Sequence, residues 1–119
     1  MMIALRKSVQ ELLKLYCREV YYRRASKAGK YPRCVFSIDL YEDEGMQRGV
    51  LSVDAYDNQD DTAELETLVQ NIRIALHRSI ISSSKVKCAC YFDKMLALED
   101  EDKSINRRQL QFELRVYEE

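Results

Sequence analysis

The chain has 119 residues, of which 46% are hydrophobic and 33% are charged, close to the average for a globular protein. Glycine occurs three times and proline once, which excludes a collagen-like or low-complexity chain. The 19 lysines and arginines are balanced by 20 acids, for a net charge of −1, so the chain is not an overall basic nucleic-acid binder. This length predicts a single domain, residues 1–119, whose core needs no disulfides.

The N-terminal stretch MMIALRKSVQELLKLY predicts an amphipathic helix and not a signal peptide, because it lacks a long apolar run and a small-residue cleavage site. No apolar run approaches the ~20 residues that span a bilayer. Four cysteines without a secretory signal indicate free thiols in a reducing cytosol. We therefore expect a cytoplasmic protein with no membrane partner.

Hydrophobic periodicity predicts one helix and three strands in the first half of the chain. Residues 3–18 carry one apolar stripe at helical spacing. Residues 19–24 are rich in β-branched and aromatic side chains and predict a short strand, and residues 26–32 predict a loop. Residues 33–41 and 50–56 alternate with a period of two around a turn at 42–49. The side chains expected to point inward are Cys34, Phe36, Ile38, Leu40, Leu51, Val53 and Ala55.

A second helix and two strands are predicted in the second half. Asp61 and Glu64 resemble a capping box at the start of the helix, and residues 82–84 break it. Strand-like alternation resumes at 86–92 and again at 110–117. The helical stripe consists of Leu65, Leu68, Val69, Ile72 and Leu76, and reaches Ile80 if the helix continues so far. The inward strand positions are Val86, Cys88, Cys90, Phe92, Leu110, Phe112, Leu114 and Val116.

The predicted order of elements is therefore α-β-β-β-α-β-β. Each strand has one apolar face, which is typical of an antiparallel sheet covered on one side only. We predict an α+β fold of two layers, a mainly antiparallel sheet with both helices packed on one face. The other face of the sheet is then open to solvent or to a partner.

Few residues indicate chemistry. His77, the only histidine, lies near the end of the second predicted helix, where its charge would complement the helix dipole. Cys88 and Cys90 point the same way on a strand and are interpreted as core residues, while Cys17 and Cys34 stand alone in the sequence and do not form a zinc motif. None of the motifs G-x-x-x-x-G-K-[ST], G-x-G-x-x-G, H-E-x-x-H and G-x-S-x-G occurs. We expect no enzyme activity, no cofactor and no metal.

The acidic segment 57–61 also invites a calcium interpretation. An EF-hand loop beginning at Asp57 would need glycine at its sixth position and glutamate at its twelfth, but these are Thr62 and Leu68. Helix capping is the simpler interpretation.

Charge is distributed unevenly along the chain. Residues 18–33 hold six bases against Glu19, whereas residues 39–66 hold ten acids against Arg48. Both segments can be solvated surface. Alternatively, the basic edge of one subunit meets the acidic edge of the next, an arrangement that closes into a ring if the rotation permits. The basic candidates for this interface are Arg18, Arg23, Arg24, Lys27, Lys30 and Arg33.

The outward face of the sheet offers a second candidate interface. Tyr41 and Tyr56 fall in phase with Asp39 and Asp54, and tyrosine among hydrogen-bonding side chains is typical of polar, well-packed interfaces. An open sheet face that merely carries some aromatic residues is the alternative interpretation.

Three stretches suggest a family: KYPRCVFSIDLYEDE, GVLSVDAYDNQDDTAELETLVQNIRIAL and the final strand from Arg107 to Tyr117. With the order of elements, and over nearly the whole chain, they resemble the tail terminator proteins of long-tailed phages, relatives of the lambda tail terminator and of tail-to-head joining proteins. The loop SKAGK, residues 26–30, is basic where many members are apolar or glycine-rich.

The resemblance implies a structural protein that assembles as a hexameric ring, halts polymerisation of the tail tube and joins it to the neck. Its implied partners are copies of itself, the tail-tube protein, neck or head-completion proteins and, in a contractile tail, the sheath. DNA would pass through without specific binding. The protein would occupy the host cytoplasm during assembly and then a virion or a bacteriocin-like tail particle.

Acidic loops facing the lumen of such a ring would repel phosphates and keep the DNA mobile. The candidates are Glu42, Asp43, Glu44, Asp57, Asp60, Asp61, Glu99, Asp100, Glu101 and Asp102.

Two other functions remain open. One is another head–tail connector or completion protein. The other is a small cytosolic RNA- or protein-binding domain, with tyrosines of the open sheet face as stacking platforms, although Asp39 and Asp54 on that face argue against RNA.

Overall fold

The computed structural model describes residues 2–25, 30–83 and 86–118. Two helices and six strands follow one another in the order α-β-β-β-α-β-β-β. Their bounds are α1 Met2–Leu13, β1 Glu19–Tyr22, β2 Arg33–Asp43, β3 Met46–Asp57, α2 Ala63–Leu76, β4 Ser79–Ser83, β5 Val86–Glu99 and β6 Asn106–Glu118. Four residues of the predicted loop 26–32, residues 26–29, lie outside the described part of the chain.

The strands form one sheet in the order β1-β2-β3-β6-β5-β4. Every neighbouring pair is antiparallel except β1 and β2, which run parallel. The four central strands are long, whereas the edge strands β1 and β4 are short. Each edge strand pairs with only part of its neighbour: β1 with residues 33–36 of β2, and β4 with residues 86–90 of β5.

One face of the sheet carries the core. The alternating side chains that were expected to point inward on β2, β3 and β6 are buried, including Phe36, Leu51 and Phe112, except Leu40, which is partly buried against the core. Both helices lie on this face, α2 against β3, β5 and β6, and α1 against both β1 and β4. Together these side chains form a single apolar cluster. The predicted two-layer α+β fold is therefore confirmed.

The strand β4 was not anticipated from the sequence. The second helix ends at Leu76, and Arg78 takes a left-handed backbone conformation with φ 61°. This reverses the chain, so that Ile81 packs in the core while Ile80 is 68% exposed on the other side of the strand. The prediction that the helical stripe reaches Ile80 is therefore wrong. Ile80 and Ile81 are β-branched and lie in a strand that pairs with β5.

Other element boundaries also differ from expectation. The turn predicted at 42–49 is only residues 44–45, because β2 continues to Asp43 and β3 begins at Met46. The first helix ends at Leu13 and leaves Tyr16 40% exposed, and β1 ends at Tyr22. At the second helix Asp61 accepts a hydrogen bond from the Ala63 N–H at 2.9 Å, while Thr62 is the N-cap and its side chain makes no capping bond. The predicted capping box is thus replaced by a short turn around Asp61.

A bulge changes the phase of β5. The register shifts between Phe92 and Lys94, so Met95 lies opposite the inward Leu110. Leu96 consequently lies on the open face beside Gln109. Among the described helices, neither is long and apolar enough to cross a membrane.

Candidate functional site

The open face of the sheet is a ladder of polar side chains, because alternate residues of β3 and β6 point away from the helices. Asp54 on β3 is its most heavily bonded acid. Its Oδ1 accepts hydrogen bonds from Arg107 Nε and Nη2 at 3.2 and 3.1 Å and from Gln109 Nε2 at 3.0 Å. Gln111 extends this ladder by donating to Gln109 Oε1 at 2.9 Å.

A second cluster lies further along the same strands. Glu113 Oε1 accepts from Arg48 Nη1 and from Arg115 Nε, each at 3.2 Å. Arg48 also lies 3.6 Å from Asp43. The three arginines of β3 and β6 on this face are therefore paired with acids of the same subunit, so the face presents little uncompensated charge.

Two tyrosines of this face are covered by those arginines. The Arg107 guanidinium lies 5.5 Å from the centre of the Tyr56 ring, and that of Arg115 lies 4.8 Å from the Tyr91 ring. Burial, and then the nearby Asp54, raise the pKa of Tyr56. In these cation–π contacts the rings of Tyr56 and Tyr91 are covered by side chains of the same subunit. Tyr41, in contrast, is 48% exposed near the end of β2.

The described bases of the basic segment lie in two places. Arg18 and Lys30 line one small hollow at the start of β1, and Arg33 stacks on Tyr31 at 4.5 Å. Arg23 lies beyond the end of β1, 3.6 Å from Asp39, and both of these side chains are more than half exposed. Part of the charge complementarity expected between subunits is thus met within one subunit. Arg24 is exposed, and Lys27 lies outside the described residues.

The acidic candidates fall at two opposite ends of the sheet. We call the end that carries residues 57–61 and 99–105 the loop end; there Asn106 donates to the Gln59 carbonyl at 2.9 Å. The turn between β2 and β3 forms the opposite end, the hairpin end, since Asp43 pairs with Met46. The loop end carries Asp60, Asp61, Glu99, Asp100, Glu101 and Asp102, and the hairpin end carries Glu42, Asp43 and Glu44.

Asp57 contradicts the expectation of an exposed acidic loop. It is 2% exposed at the end of β3, and its Oδ1 accepts from the Asn58 N–H at 2.9 Å. A carboxylate buried in the subunit cannot present its charge to a passing ligand. Asp102, by contrast, is exposed, and hydrogen bonds from the Ser104 hydroxyl and N–H lower its pKa.

The cysteines are free and buried. Cys88 and Cys90 are 0% exposed, which confirms their interpretation as core residues. Burial raises the pKa of Cys88 to about 11 and that of Cys90 to about 12. Cys17 and Cys34, separate in the sequence, are brought together where β1 meets β2. A hydrogen bond between the two side chains lowers the pKa of Cys17 and raises that of Cys34.

His77 has a structural role that the sequence did not reveal. Its Nδ1 accepts a hydrogen bond from the Phe92 N–H at 3.0 Å, next to the bulge of β5. The imidazole thereby accepts the hydrogen bond of the Phe92 backbone N–H, with which β4 is too short to pair. Within residues 2–25, 30–83 and 86–118, no three histidine, cysteine or acidic side chains are grouped so that they could hold a metal ion.

The arginine–acid ladder is the feature that sequence reasoning missed most clearly. Arg107 and Asp54 are 53 positions apart, and Arg48 and Glu113 are 65 apart. Their signal was present in the outward positions of the last strand, where Gln109, Gln111, Glu113 and Arg115 alternate with apolar residues. Charged residues of both signs at the outward positions of neighbouring strands favour cross-strand pairs.

Comparison with known proteins shows the fold. No protein-family model matches the sequence, and no curated protein is similar to it in sequence. Among solved structures, a chain described as part of the "virion of native gene transfer agent (GTA) particle" superposes with a TM-score of 0.72 at 14% identity. The match covers 98% of this chain and 93% of that one. The protein therefore shares its fold, over nearly the whole chain, with a chain of a gene transfer agent virion.

Proposed function

We propose that the protein is a structural component of a phage-like particle, and that it forms a ring at the head-proximal end of the tail. The observation that carries this proposal is the likeness in fold to a chain of the gene transfer agent virion, which extends over nearly the full length of both chains. The resemblance of its sequence stretches to tail terminators supplies the finer assignment. On this assignment it stops growth of the tail tube and connects the tube to neck proteins.

The site supports a role in assembly over one in catalysis. The polar groups of the open face are engaged with one another, Asp54 with Arg107 and Glu113 with Arg48 and Arg115. An enzyme site would instead be expected to leave a nucleophile or base poised toward a cleft. Tyrosines covered by arginine also make poor stacking platforms, which disfavours the RNA-binding alternative.

Removing the gene from cells that make the particle tests the proposal. It also distinguishes a tail terminator from a connector of the head. A tail terminator predicts tubes that grow past their normal length and fail to join heads. A connector of the head predicts tubes of normal length beside unjoined heads. Electron microscopy of the particles distinguishes these outcomes, and particles that assemble and deliver DNA normally would contradict both.

The loop end bears on the passage of DNA. Asp60 and Asp61 are exposed there beside the turn that carries Glu101 and Asp102. We propose that this acidic rim lies at the channel and repels the DNA backbone. Asp60→Lys is then expected to slow DNA ejection with the ring intact, while Glu11→Lys, an equal change of charge on an exposed position of α1, leaves ejection unchanged. Equal ejection rates for the two variants would contradict the proposal that the acidic rim lies at the channel.

A further inference from the structure

Besides the outer edges of the short strands β1 and β4, the described sheet leaves one longer segment of a central strand unpaired on each side. On β2, residues 37–43 lie beyond the reach of β1, which pairs only with residues 33–36. On β5, residues 94–99 lie beyond β4, which pairs only with residues 86–90. Within the described residues, no strand of the subunit covers either segment. Each therefore presents a row of unpaired backbone N–H and C=O groups, which is a template for pairing with another chain.

The two segments are suited to each other in direction. From β2 to β5 the strands alternate in direction, since β2–β3, β3–β6 and β6–β5 are all antiparallel pairs. Strand β2 of one copy would therefore run antiparallel to β5 of an equally oriented neighbour. Exposed apolar side chains lie on both segments, with Tyr41 48% and Met95 44% exposed.

Their charges favour contact between unlike edges. The β2 segment carries three acids, Asp39, Glu42 and Asp43, so two β2 segments repel each other, whereas the β5 segment carries one base, Lys94, and one acid, Glu99, and has no net charge. If Tyr41 lies opposite Leu96, the inward and outward faces of the two strands match. Asp43 then lies opposite Lys94. Opposite charges across a strand pair stabilise the pairing, and like charges oppose it.

The segments lie at different heights in the sheet, and this offset sets the geometry of assembly. Tyr41 is level with Arg115 of β6, through Arg48, whereas Leu96 is level with Gln109. Six residues of extended strand span about 20 Å, and the four strands from β2 to β5 are about 19 Å wide. Copies joined with Tyr41 opposite Leu96 would therefore have strands tilted by about 45°, at the upper end of the range of closed β-barrels.

The twist of the sheet indicates which face would be inside. The corners at β1 and β4 lie diagonally across the sheet, and both contact α1. We infer from this that the twist turns these two corners toward the helices. In a twisted sheet the other two corners, which carry the unpaired segments, bend toward the open face. Joining copies there places the helices outside and the ladder of paired arginines and acids inside.

We infer that copies of this chain join through residues 37–43 of one subunit and residues 94–99 of the next, making one continuous sheet whose polar face lines the channel. This inference rests on the ring proposed above and names its subunit joint. The paired charges of Arg107 with Asp54 and of Arg48 with Glu113 would let DNA pass without offering it free arginines.

Disulfide cross-linking tests the joint. In the variant Tyr41→Cys with Leu96→Cys, mild oxidation is expected to produce a ladder of covalent oligomers that ends at the closed ring. The matched control, Ile3→Cys with Leu96→Cys, replaces an exposed residue of α1 that lies off both edges and is expected to stay uncross-linked. The four native cysteines are buried and identical in both variants.

Charge exchange tests the same joint without new thiols. Lys94→Asp is expected to weaken association by about tenfold at each interface, because it places two acids opposite each other. Adding Asp43→Lys restores the unlike pair and should restore assembly. Glu44→Lys makes the same change of charge in the adjacent turn and should not rescue.

The outcomes separate this inference from the proposed function. Cross-linked ladders with charge rescue support the joint. A wild-type ring whose edge variants neither cross-link nor change in affinity overturns the joint and leaves the ring standing. A wild-type chain that remains monomeric at its highest soluble concentration contradicts both.

Discussion

The two faces of the sheet use the same strands for different purposes. On the helix-covered face, Phe112 and its neighbours exclude water and are almost completely buried. Gln111 and Glu113, the residues on either side of Phe112 in β6, point to the open face. There they are half-buried in a network of hydrogen bonds. The covered face is expected to supply most of the folding free energy, and the open face to define a surface whose charges are already satisfied.

The largest expected effect comes from the covered face. Phe112 is 0% exposed, and its ring packs edge-on against Phe92 with 5.8 Å between centroids. Phe112→Ala should lower the free energy of unfolding by about 3–5 kcal/mol, because it removes apolar contacts and leaves a cavity. Gln111→Ala, the adjacent residue on the open face, should cost less than about 1.5 kcal/mol. Urea denaturation measures both, and equal losses would contradict the contrast.

The covered face also predicts a pH dependence. Cys88 and Cys90 have pKa values raised to about 11 and about 12, so the folded state keeps protons that the unfolded state releases above about pH 9. Stability from these thiols is therefore full below pH 9 and falls as the pH rises toward 11–12. The slope is at most about 1.4 kcal/mol per pH unit for each thiol.

A comparison with Cys88→Ala plus Cys90→Ala isolates this effect from lysines and tyrosines that titrate in the same range. The variant should be less stable at neutral pH but lose stability less steeply between pH 9 and 11. Parallel stability curves for the two proteins would show that the thiols do not titrate as described.

On the open face the expected effects are intermediate. Asp54 has a side chain only 16% exposed and accepts from Arg107 and Gln109. Asp54→Ala should cost about 1–3 kcal/mol, since it leaves two donors without their acceptor. A double-mutant cycle with Arg107→Gln, followed by urea denaturation, should give a coupling of about 0.5–3 kcal/mol. Additive effects would mean that the ladder contributes nothing as a unit.

The smallest effect on folding is expected at the basic segment. Arg23 and Asp39 are mostly exposed, so Arg23→Glu with Arg24→Glu should change the free energy of unfolding by less than about 1 kcal/mol. If these bases also contact a neighbouring subunit, the same variant should fail to close a ring in size-exclusion chromatography. Lys7→Glu with Lys14→Glu, an equal change on α1, serves as the control. Normal rings in both would exclude this segment from the interface.

Sequence periodicity predicted the covered face well, because burial on one side of a strand leaves a local pattern with a period of two. It missed β4, since Ile80 and Ile81 continue the helical stripe and only pairing with β5 makes them a strand. The meeting of Cys17 with Cys34 depends on the parallel pairing of β1 and β2, and the ladder depends on residues more than 50 positions apart. The contact between the two cysteines leaves no local signal, and the alternation of polar residues along the last strand does not by itself identify their partners on β3.

The mass of the wild-type assembly in solution, measured by native mass spectrometry, tests the central claim most directly. The account predicts a closed ring of identical copies, six in number if the resemblance to tail terminators holds. A chain that remains a single copy at every concentration, particularly one that converts a small molecule, would contradict it.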